Sequence, residues 1–215
     1  MAMASSQEWL KRIRNTVGFL GMTLPWIALF GAYMVSKFGG GIPCDVFWKN
    51  FSISATYYVT PALTGILTTA AIVLMCYDGY ELKDDVLTTL SGVCGLMIVL
   101  FPCNCCVSPE RVGLFQLPVN VSHIIHIASA VCFFLLLSYI SLFLFTKGVD
   151  NPTEQKKTRN KIYITCGIGM LAALIFIPLP IHFPAKIFIV EAIALTFFGI
   201  SWLVKGQAFG LFADK

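Results

Sequence analysis

Long apolar runs alternate with short polar breaks along this chain, and the spacing of the breaks predicts six helices. The runs cover 16–36, 57–77, 86–102, 122–146, 162–180 and 186–204. An α-helix needs about 20 apolar residues to cross a bilayer. The third run is the shortest, but it carries no charge between "ELKDD" and "FPCNCC". No stretch has the n-region, short h-region and small-residue cleavage site of a secretory signal, so the first run is expected to persist as a helix. No Lys or Arg lies mid-span, which argues against a retinal-type Schiff-base lysine and a voltage-sensor helix.

Composition strengthens the pattern. Of 215 residues, 57% are hydrophobic and 12% charged, against about 25% charged in a soluble domain. Lipid is therefore the expected solvent. The fold class is all-α, a six-helix transmembrane bundle forming one integral membrane domain over residues 1–215. The net charge of +4 is small and its carriers flank apolar runs. That speaks for topology and against nucleic acid as a partner.

Lys and Arg set the orientation. With the N-terminus cytoplasmic, eleven of them fall inside and four (Lys37, Lys49, Arg111, Lys186) outside. Both termini are then cytoplasmic. The sequons "NFS" at Asn50 and "NVS" at Asn120 fall outside as well. So do Cys44, Cys103, Cys105 and Cys106, where disulfides are permitted. A bridge from Cys44 to one of the other three is expected, with free thiols as the alternative. Their spacing lacks the CxxC pair of a zinc site.

Several polar segments have plain readings. Ser5 and Glu8 have capping-box spacing, and Trp9, Leu10 and Ile13 share one helical face. "SSQEWLKRIRN" is then either a short interfacial helix before the first span or a basic tail. "GVDNPTEQKKTRNK" reads as a polar connector whose basic run would attract anionic lipid. Asp78, Glu81, Asp84 and Asp85 crowd a solvated turn. Small residues at Gly18, Gly21, Gly92, Gly95, Gly167 and Gly169 allow close helix approach. Thr60, Thr64 and Thr68 line one face, bonding their own backbone or, alternatively, marking a polar path.

The candidate chemistry gathers on the outer side. "NVSHIIHIAS" puts His123 and His126 on neighbouring positions of one helical face. Glu191 is the one carboxylate inside a span, an expensive placement that is functional or paired by default. The third histidine, His182, precedes it in "PLPIHFPAK". "NFSISATYY" brings Ser52, Ser54, Tyr57 and Tyr58 to the same side. These eight residues form an expected ligand pocket.

Three functions compete for that pocket. The first is binding of a lipid or small ligand, or an accessory membrane role, with membrane lipid as partner. The second is hydrolysis of a lipid ester or amide by a divalent metal held by His123, His126 and Glu191. No other cofactor is indicated. The third is a proton-linked carrier, although no internal repeat or broken helix pair supports it. A homo-oligomer or a second membrane protein is a compatible partner. The plainest account of all is that His and Tyr favour the interface and Glu191 is a structural pair.

"NFSISATYYVTPA" and "FGISWLVKG" resemble a group of small six-span bacterial membrane proteins of unassigned function. More distantly, "SISA" after the first outer loop is similar to the outer-loop motif of the DRAM/FRAG-type six-helix family. The resemblance implies six helices and a working first outer loop, in a family linked to lipid remodelling, autophagy and lipid asymmetry. The acidic part of that family's longer signature is absent from this chain, and no catalytic residue carries over.

Overall fold

The computed structural model describes residues 2–39, 44–77, 79, 81–148 and 153–208, without the side chains of residues 2–6 and 44. Seven α-helices lie in this range: α1 (Ala2–Phe38), α2 (Cys44–Lys49), α3 (Ala62–Met75), α4 (Leu82–Leu100), α5 (Val119–Tyr139), α6 (Glu154–Phe176) and α7 (Lys186–Lys205). A 3₁₀ turn (Ser54–Tyr58) precedes α3, and a π-turn (Ile140–Leu144) extends α5. Four segments are long and apolar enough to cross a membrane: Gln7–Phe38, Val119–Leu144, Glu154–Phe176 and Lys186–Lys205. The chain is thus built as a multi-pass helical membrane protein. The apolar α3 spans only 14 residues, about 21 Å of helix. The first turn of α4 carries Lys83, Asp84 and Asp85.

Three boundaries differ from the sequence reading for local reasons. No break separates an interfacial helix from the first span, because α1 runs on from Ala2 through Pro25 to Phe38. The Ser5 side chain of the expected capping box lies outside the described residues. Helix α3 starts at Ala62 rather than near Tyr57, since Pro61 is its N-cap and a residue before proline is pushed out of the α region. The "connector" is partly helix. The Thr153 hydroxyl accepts from the Lys156 N–H at 3.2 Å, and Lys157 pairs with Glu154 at 2.8 Å, so α6 begins at the N-cap Thr153.

Helix α1 packs against α7 and α3, α3 against α4, α4 against α5, and α6 against both α5 and α7. Helices α1 and α7 approach backbone to backbone. A Cβ on Gly18 would lie 2.9 Å from the Gly199 carbonyl oxygen, and one on Gly199 would lie 2.7 Å from that of Gly18. Reciprocal glycines let the two backbones touch where lipid gives no hydrophobic drive.

Each end of the bundle has its own lock. At one, the Arg14 guanidinium donates from Nε (3.1 Å) and Nη2 (2.9 Å) to the Tyr77 hydroxyl. Tyr77 stands edge-on to Trp202, which meets Phe145, which meets Tyr163. At the other, Ala185 N–H donates to the Lys49 carbonyl and Phe188 N–H to that of Phe51, both at 3.2 Å. Phe47, Trp48, Phe51 and Phe188 stack around this seam. Lys186 Nζ donates to the carbonyls of Ile177 (2.8 Å) and Leu179 (2.6 Å), covering the C-terminal end of α6.

The α4–α5 connection holds a feature that periodicity did not indicate. Strands β1 (Arg111–Val112) and β2 (Leu117–Pro118) pair antiparallel around an exposed tip at Leu114 and Phe115. Gly113 has φ +72°, and a Cβ there would lie 2.6 Å from the Leu100 carbonyl oxygen. Only glycine meets both demands.

Candidate functional site

The site begins where α4 stops. Pro102 has no N–H, so the Ile98 carbonyl four residues earlier loses its usual helical donor. His126 of α5 replaces it. Its Nδ1 lies 3.1 Å from the Ile98 oxygen and 2.9 Å from the Phe101 oxygen. Carbonyls only accept, so Nδ1 carries a proton and donates to both. One turn earlier, Ser122 Oγ donates to the Pro102 carbonyl at 2.8 Å. His126 is only 2% exposed. The other ring nitrogen, Nε2, is 3.0 Å from Ser54 Oγ.

Ser54 connects α5 to α7. Its hydroxyl also lies 3.3 Å from Glu191 Oε1, while Glu191 Oε2 accepts the Ile53 N–H at 2.6 Å. Glu191 thereby serves the free N–H groups at the start of the 3₁₀ turn, as an N-cap would, but from another helix. Ser52 Oγ accepts from the Ala55 N–H at 3.0 Å and closes the same turn. Ser54 has one hydroxyl proton for two acceptors, so a second proton, on Glu191 or His126 Nε2, completes the chain His126–Ser54–Glu191.

This chain forms part of the wall of a cavity of about 650 Å³ between α5, α6 and α7. Its apolar side is Phe47, Ile127, Val131, Phe134, Leu174 and Ile187; its polar side is Ser52, Ser54, Asn104, His123, His126 and Glu191. His123 is half-buried, and its Nδ1 accepts from the Asn104 N–H at 3.2 Å. On the core side, Ser54 and Glu191 border a smaller space of about 50 Å³ walled by Leu24, Leu63, Leu67, Ile98, Phe133 and Leu195.

Five of the eight residues expected in the pocket line this cavity: Ser52, Ser54, His123, His126 and Glu191. The other three do not. Tyr58 donates to the Cys103 carbonyl at 2.7 Å, and Tyr57 packs edge-on against Tyr58, so the two rings brace the loop. His182 is exposed and lines a separate depression with Lys49, Asn50 and Lys186. Among the described residues, no three His, Cys, Asp or Glu side chains stand together as a group able to hold a metal ion. The three suggested ligands have protein hydrogen-bond partners instead.

The remaining candidates also find places. Thr64 Oγ1 donates to the Pro61 carbonyl, and Thr60 Oγ1 accepts from the Ala62 N–H, so both bond within their own segment. Cys103, Cys105 and Cys106 are unpaired thiols among the described residues. The Cys44 side chain of the expected bridge lies outside them, as does Asp78 of the acidic turn. Burial pushes the Cys103 thiol up to about 12 and raises Cys105 as well. Sequence reading missed Asn104 and the apolar wall. Asn104 sits in an irregular loop, and a cavity wall looks like any other membrane-helix face.

Comparison with protein-family models, curated proteins and solved structures finds no match. The functional reading therefore rests on geometry.

Proposed function

We propose that this chain is a six-span membrane protein, with both termini cytoplasmic, whose outer-leaflet cavity binds a lipid-class amphiphile. The carrying observation is the cavity, apolar along α5 and α6 and polar where Ser54, His126 and Glu191 meet. An acyl chain suits the first surface and a hydrogen-bonding headgroup the second. The 3₁₀ turn and α3 together, and α4, supply the two spans beyond the four long ones. The excess of Lys and Arg at the opposite end, and both sequons at the cavity end, support the orientation. Lipid extracted from detergent-purified protein tests the reading by mass spectrometry. Val131→Trp, which fills the cavity from an exposed position, should abolish a stoichiometric lipid without lowering the melting temperature. Equal lipid retention in the two proteins would refute the assignment.

One observation favours catalysis as a second reading. With Nδ1 held as donor, neutral His126 presents its Nε2 lone pair to Ser54, the tautomer a general base requires. Ser54 Oγ would attack an ester carbonyl of the bound amphiphile while its proton passes to Nε2. The carbon–oxygen bond to the alcohol then breaks, His126 returns the proton to that alcohol, and water releases the acyl group from Ser54. A lipid-like fluorophosphonate should then label the wild type at Ser54 and neither Ser54→Ala nor His126→Ala. Folded wild-type protein that stays unlabelled leaves binding as the function. The core-side space carries no polar side chain beyond Ser54 and Glu191, so no observation advances a proton-linked carrier.

A further inference from the structure

The hairpin between α4 and α5 carries two large apolar side chains that the cavity does not use. Leu114 is 72% and Phe115 56% exposed, and neither lines the cavity. The hairpin beneath them is well braced. Val112 is buried at its base. The Arg111 Nη1 donates to the Gln116 carbonyl at 2.9 Å, the Gln116 Nε2 to the Gly113 carbonyl at 2.8 Å, and the Val119 N–H to the Glu110 carbonyl at 2.9 Å. These polar groups pair within the hairpin while the apolar side chains face outward, the arrangement that a lipid environment demands.

The turn is also folded down onto α4. Because Gly113 has no Cβ, its backbone can rest against the Leu100 carbonyl. The Phe115 ring stacks on Phe101, with centroids 5.4 Å apart and planes 21° from parallel. The tip therefore lies beside the end of α4. Val86, Leu90 and Val93 are exposed along one face of that helix, and the same helical spacing leads on to Phe101. The tip continues an apolar face that already exists.

We propose that this hairpin is a membrane anchor, with Leu114 and Phe115 inserted among the lipids of the leaflet at the cavity end. The proposal rests on the reading of α4 as a span, which puts Leu100 and Phe101 at the boundary between acyl chains and headgroups. Aromatic and aliphatic side chains gain there in proportion to the apolar area they bury. The hairpin's charges, Glu110 and Arg111, stand at its base, and a long arginine keeps its head in water while its stem lies along apolar surface. Two side chains are far fewer than the roughly 20–30 residues a side of a stable protein interface, so lipid suits the tip better than a second copy or another protein. An anchor here also holds at fixed depth the loop that carries Asn104, part of the cavity's polar wall.

The test places the photo-crosslinking residue p-benzoylphenylalanine at position 115 of the full chain, in phosphatidylcholine nanodiscs, and reads covalent adducts by mass spectrometry after illumination. Position 93, on the exposed face of α4, serves as the lipid reference. Position 154, where the Glu154 side chain is 85% exposed at the start of α6, serves as the water reference. All three variants exchange exposed side chains, so each should melt with the wild type. A phosphatidylcholine adduct should form at 115 as it does at 93, and be lost at 154. Lipid at 93 with an unreacted probe at 115 overturns the anchor and leaves the span standing, as does a crosslink from 115 to a second copy of the chain. No lipid at 93 or at 115 overturns the span of α4 and the anchor together.

Discussion

Replacing Glu191 tests how the cavity is held together. Its Oε2 accepts the Ile53 N–H at 2.6 Å, and Ile53 is 3% exposed, so no bulk water stands ready to replace the carboxylate. Glu191→Ala leaves the buried Ile53 N–H without its acceptor, a loss of about 1–3 kcal/mol. Ser54 keeps His126 as a partner at 3.0 Å and adds little to the loss. Glu191→Gln retains an oxygen for the Ile53 N–H, so its cost should fall to about 1 kcal/mol. The assay is reversible unfolding in mixed SDS micelles, followed by circular dichroism, with the slope compared across variants. A cycle of Ser54→Ala and Glu191→Ala should show coupling of about 0.5 kcal/mol, the low end for groups in contact, because Ser54 keeps His126. A Glu191→Ala protein within about 0.5 kcal/mol of wild type, the range of an ordinary surface change, would refute this role for Glu191. Equal damage from Gln and Ala would instead show that charge, and not acceptor geometry, is what the turn requires.

Three further outcomes follow from the packing and the loops. Gly199→Ala presses a methyl group against the Gly18 carbonyl and Met22, and it should cost about 1–3 kcal/mol in the same unfolding assay. Thiol alkylation should reach exposed Cys106 well before buried Cys103, whose pKa burial pushes up to about 12. At pH 8 the Cys103 thiol is therefore held in its protonated form. Because burial raises this pKa, Cys103 labelling should climb with pH up to about 12, and rapid labelling at neutral pH would show that the loop opens. A membrane-impermeant maleimide should label Cys106 from outside sealed cells, and a cysteine introduced at Gln155 only after lysis; labelling of both from one side would refute six spans.

The sequence alone determined the helical class, the places of the long apolar helices and the gathering of most of the polar candidates at one end of the bundle. These follow from composition and run length, which act on the backbone locally and need no knowledge of neighbours. Ser54, His126 and Glu191 were visible as polar residues in apolar surroundings. That they form one hydrogen-bonded chain was decided by tertiary structure, because their segments lie 72 and 137 residues from Ser54 along the chain. Pro102 leaves the Ile98 carbonyl without its helical donor, a vacancy that is local to the sequence, but that His126 fills it was decided only when α5 packed against α4. The dismissal of Tyr57, Tyr58 and His182 from the cavity is of the same kind, since a loop residue's direction depends on what it braces. The cavity is a product of packing too. The gap between α5 and α7 left an apolar space, because helices of fixed diameter meet side by side and enclose whatever their side chains do not fill.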